Sequence, residues 1–452
     1  MAGVIIAMAL DCLLISANKV VTPYPVYPLG LAHISAALLQ AGHRVSQFDM
    51  LAEGGAKPLR RLLQNHNYQM IGVSIRNLDT VDSTAPEGFL PEIAATVDLV
   101  RQHSQAVIVL GGAGFSIMPE ELLALLKADY GVVGAGEILM PWLADQIAAG
   151  NLPRENIFKN PSPDYSWHKP VYSSQSLPYY DGHGGMLNIQ TKRGCPFRCS
   201  YCTYPAIEGR TMHYRDPEET ADEVFRLKKE HGVKFIFFTD GVFNDQKGHF
   251  RMVAEALAKR GNKTPWSAFF RPVGLREEDL ILMKKAGLAA MEVGTDAGCD
   301  QTLAALDKGF FFSDVLKTNN LARKAAVPCA HFVMFGGPDE DQATLDEGLA
   351  NMAKLEECVI FAFAGIRILP KTTLHQRAIA DGVISADQAL LAPTFYFSPK
   401  LAELDLGQRI QAAFAGRLDR IYPCSRVAEQ IAMLHNVGHV GPLWDALLPR
   451  RQ

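Results

Sequence analysis

The sequence has no run approaching the roughly 18 consecutive apolar residues of a membrane-spanning helix. The segment from Met1 to Leu10 is apolar, but no basic residue precedes its apolar run and Asp11 ends it. A buried first strand explains it better than a signal peptide. The basic excess of a duplex-binding protein is also missing, since net charge is −4, so no nucleic acid is expected as a partner. Cysteine is scarce. Eight in 452 residues make no disulfide framework. Cys12, Cys299, Cys329, Cys358 and Cys424 are scattered and read as small buried apolar side chains in a reducing compartment. These absences together place the chain in the cytoplasm. With 48% hydrophobic and 20% charged residues an ordinary core is within reach, and the length favours two or three domains.

What is present is a rhythm of strands and helices. Apolar runs predict strands over 4–15, 45–49, 70–75, 106–110 and 130–133, with helices over 30–41, 59–65, 91–103 and 119–127. Such βαβ units build a parallel sheet, which binds ligands beyond the carboxyl ends of its strands. Residues 151–185 break the rhythm with Pro153, Pro161, Pro163, Pro170 and Pro178 and read as a linker. A second alternation over 186–390 predicts strands at 187–191, 235–239, 266–270, 290–294, 329–335 and 361–369. Six βα units suit a partial barrel with its site at the carboxyl strand ends. Residues 391–452 read as a small helical segment, with helices near 404–418 and 428–434. The fold class is thus α/β: a doubly wound parallel sheet over 1–150, then a partial (β/α)6 barrel and a helical tail.

Three of the eight cysteines crowd into Arg193-Gly-Cys195-Pro-Phe-Arg-Cys199-Ser-Tyr-Cys202, directly after the first barrel strand. Three thiolates in one tight loop can ligate three irons of a cubane cluster and leave the fourth iron open. Zinc is the competing reading. A structural zinc takes four closed ligands, usually as two separated pairs, and His213 is the nearest stray donor.

A C-x3-C-x2-C run with Tyr201 before its last cysteine resembles the signature of radical S-adenosylmethionine enzymes. The resemblance implies a 4Fe–4S cluster on Cys195, Cys199 and Cys202. The open iron would chelate the methionine part of S-adenosylmethionine, and one-electron reduction would yield a 5′-deoxyadenosyl radical. It extends to successive strand ends. Thr239, Asp240 and Gly241 resemble the segment that takes the amino group, although the family's usual Gly-Glu or Asp-Asp is not there. Arg271 resembles a carboxylate reader. Glu292, Gly294 and Asp296 resemble the glycine-rich ribose and methionine segment. Phe335-Gly336-Gly337-Pro338 falls near the expected adenine position, and Arg367 ends the sixth strand. For each of these alone, a plain strand-to-helix turn is the other reading.

The first 150 residues resemble the cobalamin-binding domain found upstream of many such enzymes. Leu29 and Gly30, then Gly42-His43-Arg44-Val45 and Asp49, then Gly111 and Gly112, then Gly136 and Glu137 carry the likeness. Glycines at strand ends let backbone approach a flat corrin. The loop holding Arg76 and Asn77 is expected beneath it. The Asp-x-His-x-x-Gly segment of methionine-synthase-like domains is absent and His33 reads as structural, so no histidine bond to cobalt is expected. A corrin and an open-site cluster on one chain imply a cobalamin-dependent radical C-methyltransferase. Oxidative cyclisation or rearrangement, with cobalamin relaying electrons, is the alternative. The expected partners are a small-molecule substrate and an external one-electron reductant such as flavodoxin or ferredoxin.

Overall fold

The computed structural model describes residues 9–160 and 167–448. The start of the first expected strand, and Pro161 and Pro163, lie outside the described residues. The first sheet has six strands: β1 (Asp11–Ser16), β2 (Arg44–Asp49), β3 (Met70–Ser74), β4 (Val107–Gly111), β5 (Tyr130–Val133) and β6 (Ile157–Lys159). All pair in parallel, in the order β2-β1-β3-β4-β5-β6. The order reverses between β1 and β3. The loops leaving those two strands therefore part and open a crevice, the usual ligand position in a doubly wound sheet. β6 arises inside the stretch read as linker, so the sheet runs past residue 150. Helix Leu177–Gly182 also lies in that stretch.

The second sheet begins with β7 (Met186–Ile189). The cysteine loop follows, its start and end held by a short antiparallel ribbon of β8 (Lys192–Arg193) and β9 (His213–Tyr214). Then come β10 (Phe235–Phe238), β11 (Trp266–Phe270), β12 (Leu288–Asp296), β13 (Cys329–Phe335) and β14 (Val359–Ala364). β15 (Ile366–Arg367) pairs antiparallel with β16 (Phe395–Tyr396). β17 (Arg420–Ile421) joins the edge of the main sheet, whose order is β17-β14-β13-β12-β11-β10-β7. The expected six barrel strands are all present. The tail supplies a seventh, because Arg420 is buried and donates to Cys358 O at 2.8 Å, which draws that segment against β14.

Local sequence explains the helices that cover the barrel. Helix Pro217–His231 is a clear case. Asp216 caps it by accepting from the N–H groups of Glu218 and Glu219 at 2.8 and 3.0 Å, and Pro217 sits in its first turn. Acidic residues open it, basic residues close it, and Gly232 ends it at φ 67°. Both long sheets show strand alternation. On β12, β13 and β14 the side chains of Met291, Val293, Cys329, Val333, Ile360 and Ala362 join the large core under the helices. Their neighbours Ala290, Ala330, Phe332, Val359, Phe361 and Phe363 form a separate cluster with Ile431 and Trp444 of the C-terminal segment. The second set is the concave face, and the C-terminal segment closes its floor. No described helix is long and apolar enough to cross a membrane.

Candidate active site

The cysteine loop is folded tightly before any ligand enters it. Gly194 adopts φ 89°, and a Cβ there would lie 2.0 Å from Thr211 O, so only glycine fits. Cys195 N donates to Gly209 O at 3.0 Å and Cys202 N to Cys199 O at 3.1 Å. The Cys202 sulfur accepts from Tyr204 N at 3.4 Å, and the Cys199 sulfur accepts from Lys308 Nζ at 3.2 Å. Burial first, then the charge of Cys199 and Cys195, push the Cys202 thiol up to about 11, against the pull of Tyr204 N–H and Lys308. All three thiols are free. Lys308 is buried and ion-paired with Asp296, over the ring of Tyr201. Arg271 stacks 3.8 Å over Phe197 and donates to Lys308 O. Three thiols ringed by two buried cations suit an anionic cluster, whose thiolates each take a different iron. Among the described residues no three His, Cys, Asp or Glu side chains converge as one metal ion would require.

The strand-end residues divide into two groups. Tyr201, Arg271 and Asp296 gather around the cysteine loop through Lys308. A Cβ on Gly241 would lie 2.7 Å from the Tyr204 ring, so that turn packs against the loop's far end. Gly294 sits in β12 beside the bulge that sets Asp296 at φ 63°. Three residues find partners away from the cysteine loop. The carboxylate of Asp240 accepts from Thr191 N at 2.7 Å, Thr191 Oγ1 at 2.5 Å and Lys192 Nζ at 3.2 Å. It braces the strand before the cysteines and has little left for a ligand. Arg367 pairs with Asp79 of the first domain at 2.7 Å and donates to Ile368 O and Leu390 O at 2.6 and 2.8 Å. It fastens the two domains together. Glu292 is buried four residues before Asp296, bonded to Trp444 Nε1 at 3.2 Å.

A cavity of about 410 Å³ opens between the domains. Leu29, Gly30, Arg76, Gly111, Gly112, Gly136 and Glu137 line its first-domain side, and Asn188, Gln190, Arg193, Tyr204 and Thr239 line its barrel side. Its size lies in the range of cofactor sites. One arm, bounded by Leu14, Ile34, Gly72, Val109, Val132 and Met140, is apolar and reaches between sheet and helix. Gly112 at φ 96° brings backbone to the wall, where a Cβ would lie 2.6 Å from Ile75 O. Arg76 Nη1 and Asn77 Oδ1 are buried without a hydrogen-bond partner. Asn77 faces a second, polar cavity of about 300 Å³ that Arg76 also lines. Glycine walls, an apolar arm and the unpaired Arg76 nitrogen on the lining fit a corrinoid with its nucleotide tail.

The comparisons with known proteins now decide the family. Residues 189–349 match the model of the radical SAM superfamily, and residues 15–144 match that of the B12 binding domain. The chain belongs to the radical S-adenosylmethionine enzymes that carry a cobalamin-binding domain. The tryptophan 2-C-methyltransferase of Streptomyces laurentii is 24% identical over 76% of this chain and 71% of its own. The cytidylyl-2-hydroxyethylphosphonate methyltransferase of Streptomyces wedmorensis is 22% identical over 88% of each. The fold matches that of the radical S-adenosylmethionine methyltransferase TsrM from Kitasatospora setae, solved with cobalamin and a 4Fe–4S cluster, with TM-score 0.84, 23% identity and 97% of each chain covered. Cobalamin, the cluster and S-adenosylmethionine are the cofactors of this family member.

The sequence reading missed Lys308, Arg193, Tyr204 and Trp444. Arg193 carried one signal, as it stands two residues before Cys195. Nothing local marks the other three.

Proposed function

We propose that this protein transfers a methyl group from S-adenosylmethionine, by way of cobalamin, to a carbon of a small-molecule substrate. The observation that carries the reading is the shared cavity, whose barrel wall is continuous with the cysteine loop and whose opposite wall is the glycine-lined edge of the first sheet. Bound cobalamin supplies a carrier that accepts and releases methyl, and a 4Fe–4S cluster with an open iron supplies an electron to S-adenosylmethionine. Cys195, Cys199 and Cys202 hold the cluster, with Lys308 and Arg271 offsetting its charge. Thr239 and the turn at Gly241 would receive the methionine part. Leu29, Gly30, Gly111, Gly112 and Gly136 cradle the corrinoid, and Arg76 faces it with an unpaired guanidinium nitrogen. The electron comes from a cytoplasmic donor such as flavodoxin or ferredoxin.

The test needs no substrate at first. Reduced, cobalamin-loaded protein is incubated with methyl-labelled S-adenosylmethionine, and label is expected on the extracted corrinoid together with S-adenosylhomocysteine. A corrinoid that stays unlabelled overturns methyl transfer and favours cyclisation or rearrangement. Once a substrate is in hand, comparable amounts of S-adenosylhomocysteine and 5′-deoxyadenosine are expected per turnover. Methylated product without 5′-deoxyadenosine would instead mark a polar transfer.

A further inference from the structure

Glu292 is an anomaly that neither cofactor site absorbs. It sits on the concave face of β12, in register with Ala290 and Gly294 and opposite the helix-facing Met291 and Val293. A strand advances about 3.3 Å per residue, so Glu292 lies roughly 13 Å along β12 from Asp296, whose partner Lys308 reaches the Cys199 sulfur. The surroundings are aromatic. Phe237 packs edge-on against Phe269 at 5.0 Å, and Phe332 stacks on Phe361 at 5.1 Å. Phe269 belongs to a central strand, yet it is 42% exposed. On a concave barrel face, that means it borders open space. Trp444 closes the floor. From the first domain, Tyr24 comes near enough for Glu292 to perturb its phenol, and it feels Arg76 of the corrinoid loop as well.

A carboxylate offers about four acceptor sites. Among the described residues Glu292 uses one, for the neutral indole N–H of Trp444. No cation reaches it, although it is only 4% exposed. Burial pushes its carboxyl up to about 7, with the Trp444 bond pulling it slightly back. Burying a carboxylate without a charged or fully hydrogen-bonded partner is costly. Four other buried carboxylates are ion-paired, Asp240 with Lys192, Glu137 with Arg193, Glu223 with Arg215 and Asp79 with Arg367, while Asp49 and Glu340, which meet no cation among the described residues, each accept from two backbone N–H groups.

We propose that Glu292 recognises the substrate, accepting from the ammonium group of an amine-bearing aromatic molecule held between Phe269 and Trp444. The inference rests on the methyl-transfer reading, and it names the substrate class of that site. An aromatic ring would cover the open face of Phe269, and the nitrogen would satisfy the acceptors that Trp444 leaves unmet. The methyl acceptor would then lie in the barrel chamber that faces the corrinoid loop across Tyr24.

The experiment uses the cluster-loaded, cobalamin-loaded protein. Its probes are L-tryptophan, tryptamine, and indole-3-propionate, which keeps the ring but lacks the ammonium. Dissociation constants are measured by calorimetry for wild type, Glu292→Gln and Trp444→Phe. Wild type is expected to bind at least one of the two amines and to prefer it over indole-3-propionate by about tenfold or more. Glu292→Gln is expected to erase that preference, and Trp444→Phe to weaken all binding without erasing it. Cluster and cobalamin spectra of each variant, matching wild type, show that the fold and cofactor sites survive. If wild type binds neither amine, or if Glu292→Gln keeps the preference, the proposal is overturned. Label on the corrinoid in the same preparation leaves the methyl-transfer reading standing in either event, so the two failures are told apart.

Discussion

The guanidinium of Arg193, two residues before Cys195, donates to Glu137 Oε1 at 2.5 Å, and both side chains are buried. One comes from the cysteine loop and the other from the glycine turn that follows β5. The same guanidinium donates to Gln190 Oε1 at 2.8 Å and lies 4.9 Å over the Trp167 ring. Burial would raise the Glu137 carboxyl, but the Arg193 charge overcomes it and holds it below the usual range. The wall of the corrinoid cavity and the base of the cluster loop are thus joined by one ion pair.

That pair sets the first expectation. Glu137→Ala removes a buried charge-assisted hydrogen bond, which costs about 1.5–3 kcal/mol, while Glu208, close enough to feel the Arg193 charge, still offsets the guanidinium. Urea unfolding monitored by circular dichroism should show a loss of that order, with a weakened affinity for hydroxocobalamin alongside it. A change under about 1 kcal/mol would mean that solvent or Gln190 already carries the charge of Arg193.

Lys308 supplies the second. Its ammonium donates to the Cys199 sulfur and is held there by Asp296. Hydrogen bonds and positive charge at cluster sulfurs favour the reduced, more negative state. Lys308→Met is therefore expected to lower the cluster's midpoint by tens of millivolts in an EPR-monitored titration, with iron content unchanged. A midpoint equal to wild type would show that Lys308 turns away from Cys199 once the cluster is in place.

The contrast between Cys202 and Lys308 explains what could be read in advance. The three cysteines fall within eight residues, so their joint chemistry is a local pattern. The barrel strands were legible for the same reason: Phe235–Phe238 is a continuous apolar segment between helices, and Cys329–Phe335 is one broken only by His331. Lys308 bonds a residue 109 positions away, and Asp307-Lys308-Gly309 looks like any helix end. β17 has two residues, too few for a periodicity. Asp240 and Arg367 stand at strand ends where a ligand reader would stand. Lys192 and Asp79 claim them through contacts that no spacing encodes.

The apolar arm of the cavity carries the third expectation. Gly72 lies in the middle of β3, and even a Cβ there would lie 2.7 Å from Leu14 Cδ2 and 3.5 Å from Met140 Cε. Gly72→Leu fills the arm from its centre. Hydroxocobalamin binding, followed by absorbance, should fall by about tenfold or more, since overpacking costs 1–3 kcal/mol. Reconstitution of the cluster on Cys195, Cys199 and Cys202 should be unaffected. Undiminished cobalamin binding would remove the arm from the corrinoid site.

His331 gives the molecule an acid limit that its cofactors do not set. It is fully buried on β13, with Nδ1 2.7 Å from Thr295 Oγ1 and Nε2 3.1 Å from Asn319 Oδ1. The amide oxygen takes the Nε2 proton, so Nδ1 accepts from the hydroxyl and the ring is neutral. Burial first, and then the charge of Arg420, push its pKa down to about 3. In the unfolded chain the same ring titrates near 6.5. As pH falls below that value the unfolded state takes up a proton that the folded state refuses, so stability is full above about 6.5 and drains away towards 3. At pH 5 the loss from this one residue is about 2 kcal/mol. His33, pushed down to about 4 by burial, adds to it in the same direction. Urea unfolding at pH 7.5 and at pH 5 isolates the share of His331: His331→Gln should lose about 2 kcal/mol less than wild type between the two. Equal losses would show that the ring is protonated in the folded protein, with Thr295 turned to accept from it.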